Sequence, residues 1–304
     1  EGGSKMDPLT ILTPTYNRAA CLPKLYRSLK EQTQLRFEWL IVDDGSTDGT
    51  AALVDAWMEE GAIPIRRISK ENGGKHTALN AGIARIETEL TFIVDSDDWL
   101  PPDAVATILE YYHLYPGDER LCGYSFLRFY PDGSVNEAFF PEEDERGTYV
   151  QVRINGGIGG DKAEVFFTDV LKRYPFPVFE GEKFLPEDLI WVRMSGSFEM
   201  IHINRCVYIS EYLEGGLTKS GKRMKLKSPR GMMERSLVYL KDPAVNRKTK
   251  AKMSLLYNIY RQAAKPLSAM EKEEARGNLL LRACRLPGWM IFQVWKRKYG
   301  SQEA

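Results

Sequence analysis

Cysteine, histidine and long apolar runs are scarce in this 304-residue chain. Its four cysteines, Cys21, Cys122, Cys206 and Cys284, lie far apart and form no Cys-x-x-Cys pair. That argues against a disulfide framework and a zinc site, and a reducing cytoplasm is the simplest compartment. His76, His113 and His202 stand at no ligand spacing and support no Ser-His-Asp arrangement. No uncharged stretch approaches the ~20 residues of a spanning helix. The leading Glu1–Met6 lacks an apolar h-region and reads as an appended leader rather than a signal peptide. Gly-x-Gly-x-x-Gly is missing from the first strand-helix turn, and Gly73-Gly74-Lys75 runs into His76 where a phosphate loop needs Ser or Thr. No RNA- or DNA-recognition motif occurs, so no nucleic-acid partner is expected.

Net charge is also missing, but only on average. Residues 219–304 hold 21 Lys and Arg against six Asp and Glu, a charge of +15 that leaves −15 for residues 1–218. Such a division marks a domain boundary and a partner surface.

What the first hundred residues do contain is alternation. Leu9–Thr13, Phe37–Val42, a segment near Ile63–Ile68 and Leu90–Val94 read as strands, the last of them, a short continuous apolar run, as a buried one. Helical spacing is read at Cys21–Gln32, Thr47–Glu60 and Thr77–Ile86. This pattern predicts an α/β fold with a mostly parallel sheet and right-handed crossovers. Each strand end then carries polar turn residues: Pro14-Thr15-Tyr16-Asn17-Arg18, Asp43-Asp44-Gly45-Ser46, Glu71-Asn72-Gly73-Gly74-Lys75, and Asp95-Ser96-Asp97-Asp98. In open α/β sheets ligands bind at this rim. Three carboxylates crowded at one strand end repel unless a cation joins them, which predicts a divalent-metal site serving a phosphorylated substrate.

Together these motifs, with Ala78-Leu79-Asn80-Ala81-Gly82, resemble family 2 glycosyltransferases over roughly residues 7–215. The resemblance implies the GT-A fold: a Rossmann-like, mostly parallel sheet with helices on both faces. It would divide into a nucleotide-binding half at 7–100 and an acceptor-binding half at 101–218, followed by a basic helical region at 219–304. It implies that Asp43 and Asp44 lie beside the nucleoside base with Tyr16 against the ring. Pro14, Thr15, Asn72, Gly74, Lys75 and Ser96 would complete the donor site. Asp95 would face the ribose and ligate, with Asp97, a Mn²⁺ or Mg²⁺ bridging the diphosphate. Leu79 departs from the family's Ala-Arg-Asn triplet, and Lys75 is the candidate replacement cation.

Pro186-Glu187-Asp188 opens an apparent helix and resembles the family's Glu-Asp motif, making Asp188 the general base and Glu187 its fallback. An inverting transfer needs a carboxylate opposite the leaving diphosphate. Outside the family context, acids at a helix start simply complement its dipole. The glycine-rich stretch before Asp161 suits a close approach to a sugar, which Asp161 would bind, and a helix is expected over Val165–Arg173. Tyr212–Ser220 is similar to the family's loop closing over the diphosphate, with Thr218 and Lys219 as phosphate donors.

The tail reads as helices at Lys227–Lys241, Ala244–Lys265 and Glu271–Arg285. Trp289 and Trp295 lie beside Lys296-Arg297-Lys298, which suits an anionic membrane surface. The function implied by the resemblance is transfer of a sugar from a nucleotide donor, expected to be UDP-linked, to a glycan or polyprenyl-linked acceptor in bacterial surface polysaccharide synthesis. The expected location is cytoplasmic, peripheral on the inner face of the plasma membrane. The alternative is a non-catalytic sugar-nucleotide-binding or membrane-scaffolding protein.

Overall fold

A computed structural model describes residues 8–211 and 217–299. Its first part follows the alternation in the sequence: β1 (Leu9–Thr15), α1 (Leu22–Lys30), β2 (Phe37–Asp43), α2 (Thr50–Glu60), β3 (Ile65–Ser69), α3 (Lys75–Ile83), β4 (Leu90–Ile93) and α4 (Ala104–Leu114). Then come β5 (Leu121–Phe129), β6 (Glu145–Gly147), a π-helical segment at Val150–Asn155, β7 (Lys162–Phe167), α5 (Thr168–Leu171), α6 (Asp188–Ser195) and β8 (Glu199–Ile209). Six helices close the described chain: α7 (Leu217–Lys227), α8 (Pro229–Lys241), α9 (Arg247–Ala263), α10 (Ala269–Gly277), α11 (Leu279–Ala283) and α12 (Arg285–Tyr299).

One eight-stranded sheet runs in the order β3-β2-β1-β4-β7-β5-β8-β6. The first four strands are parallel, with Leu9 opposite both Phe37 and Leu90. β7 pairs antiparallel with β4 and β5, β8 parallel with β5, and β6 antiparallel with β8. Alternation along each strand divides its apolar side chains between two cores. Leu9, Ile11, Trp39 and Ile41 meet Leu25, Tyr26, Trp57 and Ile108 from α1, α2 and α4. Leu12, Leu40, Val42 and Leu79 join the core of the other face with Trp191, Met232, Tyr239 and Tyr257. Leu79, the departure from the family triplet, is therefore a wholly buried core residue on α3.

The segment expected as a helix over Val165–Arg173 is instead β7 followed by the one-turn α5. A short apolar run is ambiguous by period, and here its neighbours decide. Ala163 and Val165 enter one core while Phe166 enters the other, as only an extended chain allows. The slot is tight, since a Cβ on Gly123 of β5 would come within 2.0 Å of the Val165 carbonyl oxygen.

The basic tail packs on the sheet domain as helices α8 and α9, whose Met232, Met233, Leu237, Met253 and Tyr260 share the core that holds Trp191. The buried carboxylate of Glu182 accepts from the N–H groups of Arg230 and Gly231, both at 2.8 Å, and so fixes the N-terminus of α8. Trp295 does not pair with Trp289 at a surface; it turns inward, edge-on to Tyr260 at 6.2 Å, while Trp289 is exposed.

Candidate active site

The strand ends converge on one cavity of about 740 Å³. Pro14, Thr15 and Tyr16 line it from β1, Asp44 from the end of β2, Asn72, Gly74 and Lys75 from the β3–α3 turn, and Asp95, Ser96 and Asp97 from the end of β4. Asp161, Glu187 and Asp188 complete the far wall, so residues from both halves of the sheet face a common space. Asp43 is not among the lining residues. It is buried, and its Oδ1 accepts the Ser46 N–H at 2.8 Å, closing the turn after β2. The side chains of Thr218 and Lys219 lie outside the described residues, as does the backbone of 212–216; the backbone of both residues belongs to α7.

Asp44 is buried too, and its oxygens are already engaged. They accept from Lys70 Nζ at 2.6 Å, Asn72 Nδ2 at 3.2 Å, and the N–H groups of Gly73 and Gly74 at 3.0 and 2.7 Å. This carboxylate therefore shapes the β3–α3 turn that delivers Lys75. Gly74 has φ +94°, and a Cβ there would sit 2.0 Å from the Lys183 carbonyl oxygen. Lys183 Nζ in turn donates to Asn72 Oδ1 at 2.6 Å, strapping the segment before α6 to the rim of the cavity.

The charge crowding at the end of β4 is relieved by the protein's own cations. Lys75 forms ion pairs with Asp95 and, at 2.5 Å, with Glu187. Arg128 Nη1 lies 3.8 Å from Asp95 and 3.9 Å from Asp98. Tyr208 OH donates to Asp98 at 2.8 Å and accepts the Asp95 N–H at 2.9 Å. Burial works to lift the Asp95 carboxyl, but Lys75 and Arg128 outweigh it and hold it below the usual carboxylate range. Burial also opposes the charge on Lys75, and Asp95 and Glu187 more than restore it. Asp98 goes the other way: burial, reinforced by Asp95, pushes it up to about 7.

Among the described residues no three His, Cys, Asp or Glu side chains converge as an ion cage. The donor set fits a hard cation only as one shared with a substrate, because Mg²⁺ is commonly held by one or two carboxylates plus phosphate oxygens and water. Asp97 meets that requirement: its carboxylate faces the cavity, 29% exposed, with Arg18 Nη2 3.9 Å away.

Asp188 is the first residue of α6 and is clamped from α8. Arg235 Nε donates to Oδ1 at 2.7 Å and to Oδ2 at 3.0 Å, its Nη2 also donates to Oδ2, and Tyr239 OH donates to Oδ2 at 2.7 Å. Burial would raise this carboxyl, but the Arg235 charge and these hydrogen bonds prevail and keep it low. Glu164, on β7, shows the opposite balance: burial lifts it to about 7 despite Arg128 and Arg153. Nearby Lys162 is buried, brought down to about 8 by desolvation and by Arg153, and donates to the Gly159 carbonyl at 3.0 Å. None of Arg128, Glu164, Arg235 and Tyr239 stands in a local motif. Only Arg18, directly after Thr15-Tyr16-Asn17, carried a sequence signal.

The model of the family described as Glycosyl transferase family 2 matches residues 10–118. Over 110 residues the chain is 34% identical to an undecaprenyl-phosphate 4-deoxy-4-formamido-L-arabinose transferase of Sodalis glossinidius, covering 35% of this chain and 34% of that protein. It is 32% identical over 118 residues to glycosyltransferase GlyA of Streptococcus pneumoniae, covering 39% of this chain and 17% of that one. The chain thus spans about a third or less of the length of these curated relatives. Among solved structures, S. aureus TarS 1–349 in complex with UDP-GlcNAc aligns with a TM-score of 0.59 at 18% identity, covering 93% of this chain and 80% of that one. Mannosyltransferase PcManGT from Pyrobaculum calidifontis, in complex with GDP-Man and Mn²⁺, aligns with a TM-score of 0.58 at 17% identity, covering 97% and 88%. At these identities the structural likeness establishes the fold, which is GT-A.

Proposed function

From the match of residues 10–118 to glycosyltransferase family 2, we propose that the chain is a metal-dependent inverting glycosyltransferase. It would move a sugar from a UDP-linked donor to a hydroxyl of a glycan or polyprenyl-linked acceptor, in the assembly of a bacterial surface polysaccharide. The observation that carries this reading is the meeting of Asp95 and Asp97 with Glu187 and Asp188 across one cavity, with Lys75 spanning Asp95 and Glu187. UDP-GlcNAc bound to TarS supports a uridine donor, and the undecaprenyl-phosphate in the name of the Sodalis relative supports a lipid-linked acceptor. Mn²⁺ in the mannosyltransferase complex supports metal dependence.

In this reading Pro14, Thr15, Tyr16 and Asn72 flank the nucleoside, with the turns built by Asp43, Asp44 and Gly74 holding them in place. Asp95 and Ser96 face the ribose, and Asp97 would hold the cation. When bound, Mn²⁺ or Mg²⁺ neutralises charge on the departing diphosphate, so no separate general acid is needed. Lys75 releases Asp95 and Glu187 as phosphate arrives and adds its own charge. The acceptor oxygen attacks the anomeric carbon from the opposite face; its proton passes to Asp188 while the bond from carbon to diphosphate oxygen breaks. Asp161 binds sugar hydroxyls.

The clamp on Asp188 favours the second reading, a sugar-nucleotide-binding protein without turnover, since a carboxylate held so low is a weak base. Release of UDP from UDP-GlcNAc with Mn²⁺ distinguishes the two. Turnover lost in Asp188→Asn with donor binding retained supports the enzyme; binding without turnover in the parent protein overturns it.

A further inference from the structure

Six of the twelve exposed large apolar side chains among the described residues fall within sixteen positions of the tail: Leu279, Leu280, Leu286, Trp289, Met290 and Val294. On α12 they recur as Leu286, Trp289, Met290 and Val294, a spacing of three, four and eight that places them on one helix face. The opposite face is taken by the fold: a Cβ on buried Gly288 would come within 2.5 Å of Asn258 on α9, and Trp295 packs on Tyr260. Asn258 Nδ2 donates to the Leu281 carbonyl at 2.9 Å, so α11 is fixed to α9 as well. The outward stripe is thus presented by helices whose inner side is anchored. Between residues 277 and 299 there is no Asp or Glu, while Arg282, Arg285, Lys296, Arg297 and Lys298 are present. Among the described residues no helix is long and apolar enough to cross a membrane.

We infer that the outward face of α11 and α12 is a docking surface for an anionic lipid bilayer, lying in the interface plane with Leu286, Trp289, Met290 and Val294 in the acyl boundary and the basic residues at the headgroups. Exposed apolar area supplies binding that survives salt, and each nearby cation adds attraction that salt removes. The charge selects a bilayer over an acidic protein because the apolar stripe is linear and belongs to a helix that can lie flat. This surface rests, for its role, on the lipid-linked acceptor reading, since it would bring the cavity to the lipid headgroup.

The test uses the full chain, mixed with vesicles of phosphatidylglycerol and phosphatidylcholine or of phosphatidylcholine alone, and read by co-sedimentation, size-exclusion light scattering and thermal melting. Phosphatidylglycerol vesicles should retain the protein, and Lys296→Gln with Lys298→Gln should weaken that by about 10–30-fold at low salt. Trp289→Ser, Met290→Ser and Val294→Ser together should abolish the fraction surviving high salt and leave the melting temperature unchanged, because these side chains are already exposed. The inference is overturned if the parent protein stays free of anionic vesicles at low salt, or if both variants bind like the parent. A concentration-dependent dimer that the apolar variant dissolves, without vesicle retention, assigns the face to a second copy instead. UDP release by the parent protein in vesicle-free buffer is followed in parallel, so a parent that releases UDP yet stays free of anionic vesicles sinks the surface and leaves the transferase reading standing.

Discussion

Replacing Arg235 by leucine should destabilise the fold by about 3 kcal/mol, because it strands the Asp188 carboxylate between α6 and α8. Breaking a buried pair by removing one partner costs about 3–5 kcal/mol. Arg235 and Asp188 are 17% and 21% exposed, so water offsets part of the loss and the lower end applies. The sign with pH follows from the depressed carboxyl of Asp188. Its contribution is present above the ordinary aspartate pKa of ~4 and disappears as pH falls through the lower folded value. In Arg235→Leu the carboxyl rises, so the deficit relative to the parent should be full at neutral pH and shrink as pH falls through the variant's raised pKa toward the parent's lower one. Urea unfolding at several pH values measures this directly, as a midpoint change at constant slope. Adding Asp188→Asn to Arg235→Leu should recover at least about 1 kcal/mol, the coupling expected of directly bonded partners. A deficit under about 1 kcal/mol, or one indifferent to both pH and the second substitution, would refute the reasoning. Tyr239→Phe separates a catalytic from a purely structural clamp. It removes one hydrogen bond to a charged group, about 1.5–3 kcal/mol, and so should move the acid limb of the rate profile upward by about 1 pH unit. An unmoved limb removes Asp188 as the base in turnover.

Asp97→Asn should abolish most Mn²⁺-dependent donor binding in calorimetry while the melting temperature holds, and unchanged affinity would exclude Asp97 as a ligand. Gly74→Ala should lower stability by more than about 2 kcal/mol, since it adds a left-handed backbone penalty to the clash with Lys183; a melting temperature equal to the parent's would contradict this. Glu164 titrates near 7, above its unfolded value, so its contribution is complete below about pH 4.5 and is lost as pH rises through 7. Glu164→Gln should therefore flatten the stability profile between about pH 5 and 7 and be the more stable form at pH 8, by on the order of 1–3 kcal/mol. Parallel profiles for the two proteins would refute it.

The rim of the cavity was legible because its information is local: each motif closely follows a strand of four to seven residues. Even there the sequence could not show that Asp44 is saturated by Lys70, Asn72, Gly73 and Gly74, since two of those bonds come from backbone in another turn. Crowding at the β4 end was likewise visible, but its relief was not. Lys75 comes from 20 positions earlier, and Arg128 from a strand whose place depends on antiparallel pairing with β7. The strand β7 reads as helix in the sequence because Val165, Phe166 and Phe167 are apolar on consecutive positions, a pattern that has no period until both cores are known. Asp188 was singled out by its motif, yet the residues that govern its charge, Arg235 and Tyr239, lie 47 and 51 positions later.

β7 also sets an order of assembly. It fills the gap between β4 and β5, although about seventy residues of chain separate β4 from it. As the polypeptide emerges, the β1–β4 half can pair within itself, but β4 keeps an open hydrogen-bonding edge until Lys162–Phe167 has been made. β5 must wait as well, because its neighbours β7 and β8 both follow it. Until then the open edges of both strands are available to other chains, the condition under which folding intermediates associate. Polar substitutions at Val165 or Phe166 would act first on this nascent state, lowering the yield of soluble protein before any effect on the finished cavity could be measured.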